Sequence, residues 1–357
     1  MLSDDKYIIP IMHCFDDNYV IPASVSFLSM LENANPRYFY KLYVLHTDIS
    51  EKNQNTLNSI VSKFNNADLQ FIDMNNKFDD EFEAMKNKAH YSKEVLYKLL
   101  APTIFPQYEQ IIITDVDVVF CGDIAEIYII VMMSEGGGGV SVYIAGTGYN
   151  FKDDNPFAKI TNEYEREFSS EEIRKLLIGG GLLCMNLKKM REDGIEAKCV
   201  AYLKQNAHRL KQAEQDVLNL VCYPKIKLLP ERFMVCTYLY DMIENNEFFG
   251  NEITLGKQDK VWIKEALSKV IQLHYTGAQK PWNTPTCTKS DVWFSYLLKT
   301  PFFYEVMRKI TAPKLSELPD CKFYLWNKIE IIKIKNGKAR LFGFMPIAKK
   351  KCLLKLQ

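Results

Sequence analysis

No two of the nine cysteines form a C-x-x-C pair, which removes the usual spacing of a cysteine-rich zinc site. An odd count in a chain of 357 residues also argues against a secreted disulfide scaffold. Several cysteines sit in apolar runs, such as Cys184 in Leu182-Leu183-Cys184-Met185, as buried reduced thiols do. No stretch approaches the ~20 apolar residues of a membrane span. The chain opens without a basic segment leading into an apolar run, so a cytoplasmic protein is expected. The net charge of +1 gives the whole chain no nucleic-acid signature. The glycine run Gly136 to Gly139 fits neither G-x-x-x-x-G-K-[ST] nor G-x-G-x-x-G and reads as a flexible loop. No internal repeat is evident.

What is present is an ordinary globular composition, 47% apolar and 25% charged, enough to bury a large core. The length fits one large α/β domain with an appendage. Tyr7 to Met12, Lys41 to His46, Leu69 to Met74 and Gln110 to Thr114 read as strands. Between them, Ile21, Val25, Leu28 and Glu32 lie at helical spacing, as do Leu57, Ile60, Val61 and Phe64. Val95, Leu96, Leu99 and Leu100 predict another helix. Strand and helix alternate, so the expectation is an α/β fold with a mostly parallel central sheet. Later in the chain, Leu182 to Leu187 and Val270 to Tyr275 predict strands, and Gln212 to Cys222 a helix.

The near-neutral total hides an asymmetry. Lys328 to Gln357 holds nine Lys and Arg against one Glu, a net of +8, so the other 327 residues carry −7. With Lys349-Lys350-Lys351 and flanking apolar residues, this basic tail could hold an anionic membrane surface. A basic strand extension is the equal alternative.

The chemistry centres on Ile111-Ile112-Ile113-Thr114-Asp115-Val116-Asp117. Open parallel sheets bind ligands at the carboxyl ends of their strands. Two acids one residue apart at that edge repel each other and need a cation. Carboxylate oxygens suit Mg²⁺ or Mn²⁺, which would neutralise charge on a diphosphate. Alone, this pattern is as often a solvated strand end. The segment His274-Tyr275-Thr276-Gly277-Ala278-Gln279-Lys280-Pro281-Trp282 adds an imidazole able to complete a metal shell, a glycine that lets backbone approach a phosphate, and a cation for phosphate oxygens. Asp16-Asp17-Asn18-Tyr19, after the first strand, can bind a base or ribose, cap the helix beginning near Val20, or do both.

These motifs, in this order, resemble glycosyltransferase family 8. That family holds retaining enzymes such as bacterial lipopolysaccharide galactosyl- and glucosyltransferases, and glycogenin. The resemblance runs from about Tyr7 to Trp282. Besides the stretches above it includes Tyr97-Lys98-Leu99, Gly181-Leu182-Leu183-Cys184-Met185-Asn186-Leu187-Lys188 and Glu214-Gln215-Asp216-Val217-Leu218-Asn219. It implies a Rossmann-like GT-A fold, a UDP-sugar donor and Mn²⁺. By position, Asp115, Asp117 and His274 match the metal ligands. Cys14, Asp16 and Asn18 match the nucleoside-binding stretch, and Gly277 and Lys280 the diphosphate-binding turn. Gln215 matches the residue near the reacting sugar carbon, with Glu214 its acidic neighbour. Lys98 and Val116 fall in the donor-binding set. The implied layout is a catalytic domain over 1–285 and a helical, basic extension over 286–357.

This sequence departs from the family pattern at Lys98 for Arg, Gly179 for Asn, Gly180 for Ala and Glu214 for Asp. The first keeps charge without the bidentate fork. The second removes a side-chain contact on the sugar side.

The implied reaction moves a hexose, galactose or glucose, from UDP to a saccharide or lipid-linked acceptor. Glu214 is chemically able to act as a nucleophile. The reading preferred here is front-face attack by the acceptor hydroxyl, with Gln215 stabilising positive charge on the sugar. Two other readings are weighed. Asp115-Val116-Asp117 after an apolar strand also resembles the opening motif of haloacid-dehalogenase-type phosphatases, although about a hundred residues precede it. A degenerate nucleotide-sugar-binding protein is the third reading.

Overall fold

The computed structural model describes residues 7–75, 77–85, 92–135, 142–148, 164–315, 321–325, 329–335, 338–341 and 345–346. The Gly136 to Gly139 loop and Lys349-Lys350-Lys351 lie outside the described residues.

The core is a seven-stranded sheet built from β1 (Tyr7–Cys14), β2 (Tyr38–His46), β3 (Ala67–Asp73), β4 (Gln110–Thr114), β6 (Ile144–Thr147), β7 (Leu182–Asn186) and β8 (Ile226–Leu229). Its order is β3-β2-β1-β4-β7-β6-β8. Neighbours pair in parallel except at β7, which runs antiparallel to both β4 and β6. The all-apolar middle of β4, Ile111 to Ile113, is fully buried, as expected of a central strand covered on both faces. The expected mostly parallel α/β sheet is therefore found. The reversal at β7 is not legible from an apolar run, which carries no direction.

The helices Val20–Glu32 and Glu51–Val61 follow β1 and β2, as the spacing predicts. The second ends at Val61, and Phe64 is reached through a turn in which its N–H donates to the Val61 carbonyl. Lys93–Leu100 differs from expectation: it is a 3₁₀ helix that passes into a short α-helix, Ala101–Ile104. Side chains at i and i+3 eclipse in that geometry, and Leu96 and Leu99 are both fully buried.

A second, three-stranded sheet sits beside the carboxyl end of β4. In it β12 (Gln272–His274) lies between β5 (Val118–Phe120) and β9 (Val235–Cys236). The strand β5 begins just after Asp117, so this small sheet brings His274 back to the acidic pair. A hairpin of β10 (Glu247–Phe248) and β11 (Asn251–Glu252) follows the helix Tyr238–Asn245. Beyond residue 285, helices Ser290–Leu297 and Phe303–Leu315 lead to an antiparallel sheet of β13 (Cys321–Leu325), β14 (Ile329–Lys335), β15 (Lys338–Leu341) and β16 (Met345–Pro346). Among the described residues the extension is helical in its first half and forms strands after it. Among the described residues no helix is long and apolar enough to cross a membrane.

Candidate active site

Three strand ends converge at the carboxyl edge. Asp115 and Asp117 leave β4, and His274 ends β12 one strand over. Gly179 to Gly181 lead directly into β7, whose first residue Leu182 pairs with Thr114. The Asp115 N–H donates to the Gly181 carbonyl at 3.2 Å, extending that ladder by one step. Gln272 locks the two sheets together: its Nε2 donates to the Gly181 carbonyl at 3.2 Å, and its Oε1 accepts from Thr114 Oγ1 at 3.1 Å.

Asp115, Asp117 and His274 each present one ligand atom, and these atoms lie within 4.8 Å of one another. His274 Nε2 is 3.1 Å from Asp117 Oδ1 and 3.9 Å from Asp115 Oδ2. Lys280 Nζ donates to Asp117 Oδ2 at 2.5 Å and also to the Tyr275 carbonyl. Burial opposes ionisation of Asp117, yet Lys280 and His274 beside it hold its carboxyl far below the usual range. Burial likewise opposes charge on His274, but the Asp117 carboxylate overrides it and lifts the imidazole to about 10. Once the imidazole gives up its proton to an incoming cation, two carboxylate oxygens and one imidazole nitrogen form a donor set that fits Mn²⁺ or Mg²⁺. Glycine at 181 makes the arrangement possible. A Cβ there would stand 2.5 Å from His274 Cε1 and 2.7 Å from its Nδ1.

On the other side of Asp115 lies a buried charge network. Lys98 Nζ donates to Asp115 Oδ1 at 2.8 Å, to the Gly180 carbonyl at 3.0 Å and to Glu214 Oε1 at 2.8 Å. An ammonium has three N–H bonds, and all three are used. Burial alone would lower the Lys98 pKa, but the two carboxylates raise it and keep the group charged. With one cation shared between two acids, burial and the Asp115 charge leave the Glu214 carboxyl raised.

Glu214 and Gln215 open the helix Ala213–Cys222. The preceding Ala213 has φ +44, a left-handed backbone that only firm surroundings sustain in a non-glycine residue. Gln215 Oε1 accepts the Gly180 N–H at 2.7 Å. Asn219, one turn on, accepts from the Leu177 and Ile178 N–H groups and donates to the Ile178 and Gln215 carbonyls. The helix and the glycine segment are therefore fastened to each other.

The remaining sequence-predicted residues fall around this edge. Asp16 accepts from the Asn18 N–H at 3.1 Å and from its Nδ2 at 3.0 Å, capping the 3₁₀ turn Asp17–Tyr19 and not the long helix itself. Burial raises the Asp16 carboxyl. Cys14 is buried, with its thiol pushed up by burial. Gly277 is exposed at φ +77, a conformation that favours glycine. The Val116 side chain packs into the core, so it offers the edge only its backbone.

Sequence reasoning did not single out Gly181 as a site residue. Nor did it find Met234, whose sulfur would meet a Cβ at Gly181 at 2.9 Å, or buried Glu94, which accepts from Thr47 Oγ1 at 2.7 Å. No spacing rule marks such residues, because they act through contacts distant in sequence.

Comparison with known proteins decides the family. A profile described as Glycosyl transferase family 8 matches residues 10–286. The chain belongs to glycosyltransferase family 8. Among curated family relatives, General stress protein A of Bacillus subtilis (strain 168) is 23% identical over 298 residues, 82% of this chain and 94% of that protein. The lipopolysaccharide 1,2-glucosyltransferase of Escherichia coli is 21% identical over 286 residues, 78% of this chain and 75% of that one. Among solved structures, an active-site mutant of LgtC superposes with a TM-score of 0.61 at 18% identity, covering 82% of this chain and 96% of LgtC. The apo WbbM bifunctional glycosyltransferase gives 0.62 at 21% identity over 86% of this chain, which spans about half of that larger protein at 52%. The fold is that of the GT-A glycosyltransferases. As a family 8 transferase the chain leaves no ground for the phosphatase reading: β4 is the fourth strand, not the first, and Asp117 is joined to His274 and Lys280.

Proposed function

We propose that this family 8 enzyme moves a hexose, galactose or glucose, from a UDP-sugar to a saccharide or lipid-linked acceptor, with retention at the anomeric carbon. The reading places a divalent cation, Mn²⁺ or Mg²⁺, on Asp115, Asp117 and His274. It places the nucleoside along Cys14, Asp16 and Asn18, and the diphosphate at Gly277 and Lys280. The catalytic unit is residues 1–285, with 286–357 as an extension. The observation that carries it is the meeting of three ligand atoms within 4.8 Å at the sheet's carboxyl edge, with Lys280 against them.

When bound, such a cation supplies charge neutralisation for the departing diphosphate. The chain's own residues do the rest. Lys280 lies against Asp117 and can offer its ammonium to a phosphate oxygen. Glu214 is 4% exposed and bonded to Lys98, which argues against its reaching the sugar as a nucleophile. That supports front-face attack by the acceptor hydroxyl, its proton passing to an oxygen of the leaving phosphate. Gln215, half-buried at the helix start, stabilises positive charge developing on the sugar.

The test is release of UDP from UDP-galactose and UDP-glucose with Mn²⁺, with and without chelator. Chelator-sensitive release supports the reading; no release from either donor overturns it. A covalent sugar trapped on Glu214, or a Gln215→Ala variant with native turnover, would overturn the mechanism. The basic tail, residues 328–357, is proposed to contact anionic membrane, and its deletion should abolish liposome flotation.

A further inference from the structure

A solvent-facing aromatic sits over the proposed diphosphate turn. Phe249 is the tip residue of the β10–β11 hairpin and is 54% exposed. Its backbone has φ +47, and the next residue, Gly250, has φ +76. Two successive positive φ values suit a tight hairpin turn, but a bulky residue in the first of these positions is strained. Asn or Gly would fit there without cost. Strain of this kind is kept where the side chain has a use.

The ring is also packed against its neighbours. It packs on Phe248 at 4.6 Å between centroids and on Tyr238 at 5.3 Å, and both of those are buried. Its edge covers Gly277, where a Cβ would stand 3.1 Å from Phe249 Cε1. Gly277 follows His274 by three residues, so their Cα atoms are at most about 11 Å apart. The ring therefore stands at the rim of the metal and diphosphate site.

The chain leading to one of its supports passes the sugar side of that rim. Tyr238 lies four residues after Met234. Met234 borders Gly179 and Gly181, and Gly179 and Gly180 face Gln215. The nucleoside stretch is at the end of β1, toward β2, on the other side of Asp115.

We infer that Phe249 is a specificity-determining residue whose exposed ring seats the acceptor saccharide. This rests on the transferase reading above. A pyranose has one face made largely of C–H groups, and laying it on a fixed aromatic face removes apolar area from water without ordering a mobile side chain. The hydroxyls at its edge stay solvated or meet the polar rim. A strained, pre-ordered ring is thus suited to hold a polar ligand weakly but in one orientation.

The experiment uses the whole chain with Mn²⁺ and UDP, and two probes: methyl β-D-galactopyranoside and methyl β-D-glucopyranoside. Saturation-transfer NMR reads pyranoside binding, and calorimetry reads UDP. The variants are Phe249→Gly, which suits the positive φ and so keeps the hairpin, and Phe249→Trp, which keeps an aromatic face. Expected is transfer to the C–H protons of one pyranoside face in the native protein. In Phe249→Gly the dissociation constant should rise about ten-fold, as the loss of an aromatic seat implies. Phe249→Trp should retain binding, and UDP affinity should stay unchanged in both. No transfer in the native protein, or equal transfer in Phe249→Gly, overturns the inference. A drop in UDP affinity in Phe249→Gly assigns the ring to the donor and also overturns it. If UDP with Mn²⁺ fails to bind the native protein at all, the transferase reading fails, and that outcome is read separately.

Discussion

The ammonium of Lys98 donates to Glu214 across 2.8 Å, and both side chains are almost wholly buried. The same nitrogen holds Asp115 and the Gly180 carbonyl, so no N–H is left for a ligand. Lys98 falls in the donor-binding set by its position in the sequence, and its bonds also join Asp115, the glycine segment and the Glu214–Gln215 helix start. Replacing it by methionine keeps the length and leaves two acids without their cation. The expected loss is about 3–5 kcal/mol, the usual cost of removing one partner of a buried pair, read by urea denaturation. Lys98→Arg keeps the charge but must fit a larger planar group into a filled space. It should cost about 1–3 kcal/mol and lower turnover more than it lowers donor affinity.

The His274 ring lies over Gly181 with no room for a side chain there. A Gly181→Ala variant forces the imidazole to move, since the new Cβ would stand 2.5 Å from His274 Cε1 and 2.7 Å from its Nδ1, with the Met234 sulfur at 2.9 Å. The expected outcome is a folded protein whose Mn²⁺ affinity falls by about ten- to a hundred-fold, in the range seen when a ligand's supporting contacts are removed. Calorimetric titration with Mn²⁺ checks this, and native affinity would contradict it.

Metal removal should stop catalysis without unfolding the chain. Lys280 and His274 already oppose the charge of buried Asp117, and half-exposed Asp115 shares Lys98 with Glu214, so the acids do not depend on a bound metal to hold their places. After chelation, circular dichroism should be unchanged and UDP release abolished; added Mn²⁺ should restore it. Loss of secondary structure on chelation would show that the ion carries folding energy instead.

Much of this architecture is legible in the sequence because β4 and its neighbours obey simple periodicity. The apolar run Ile111 to Ile113 announces a buried strand, and acids directly after it announce a ligand edge. His274 is legible as a strand-end imidazole, although only the fold shows that β12 crosses back beside β5 to put it 3.1 Å from Asp117. What was not legible depends on long-range packing. The antiparallel pairing of β7 with β4, the Lys98 bonds to Gly180 and Glu214, and the need for glycine at 181 all arise from residues about seventy to a hundred and twenty positions apart. The 3₁₀ geometry of Lys93–Leu100 was hidden because apolar residues at 95, 96, 99 and 100 serve either helix type.

His13 lies in β1, beside the strand that leads into Asp115. Its Nδ1 is 3.2 Å from the Thr114 carbonyl, so the neutral tautomer with a proton on Nδ1 is the one that forms a bond. Burial lowers its pKa from 6.5 to about 3, against a smaller upward pull from that bond. Between those values the unfolded chain binds a proton that the folded chain refuses. Stability from this group is therefore complete above pH 6.5 and is lost as pH falls toward about 3, at up to about 1.4 kcal/mol per pH unit. Nitrogen-detected NMR should show one histidine that stays neutral, protonated at Nδ1, from pH 8 down to about 4. A His13 resonance titrating near 6.5 would show that the ring is solvated and that its contact with the Thr114 carbonyl is not kept.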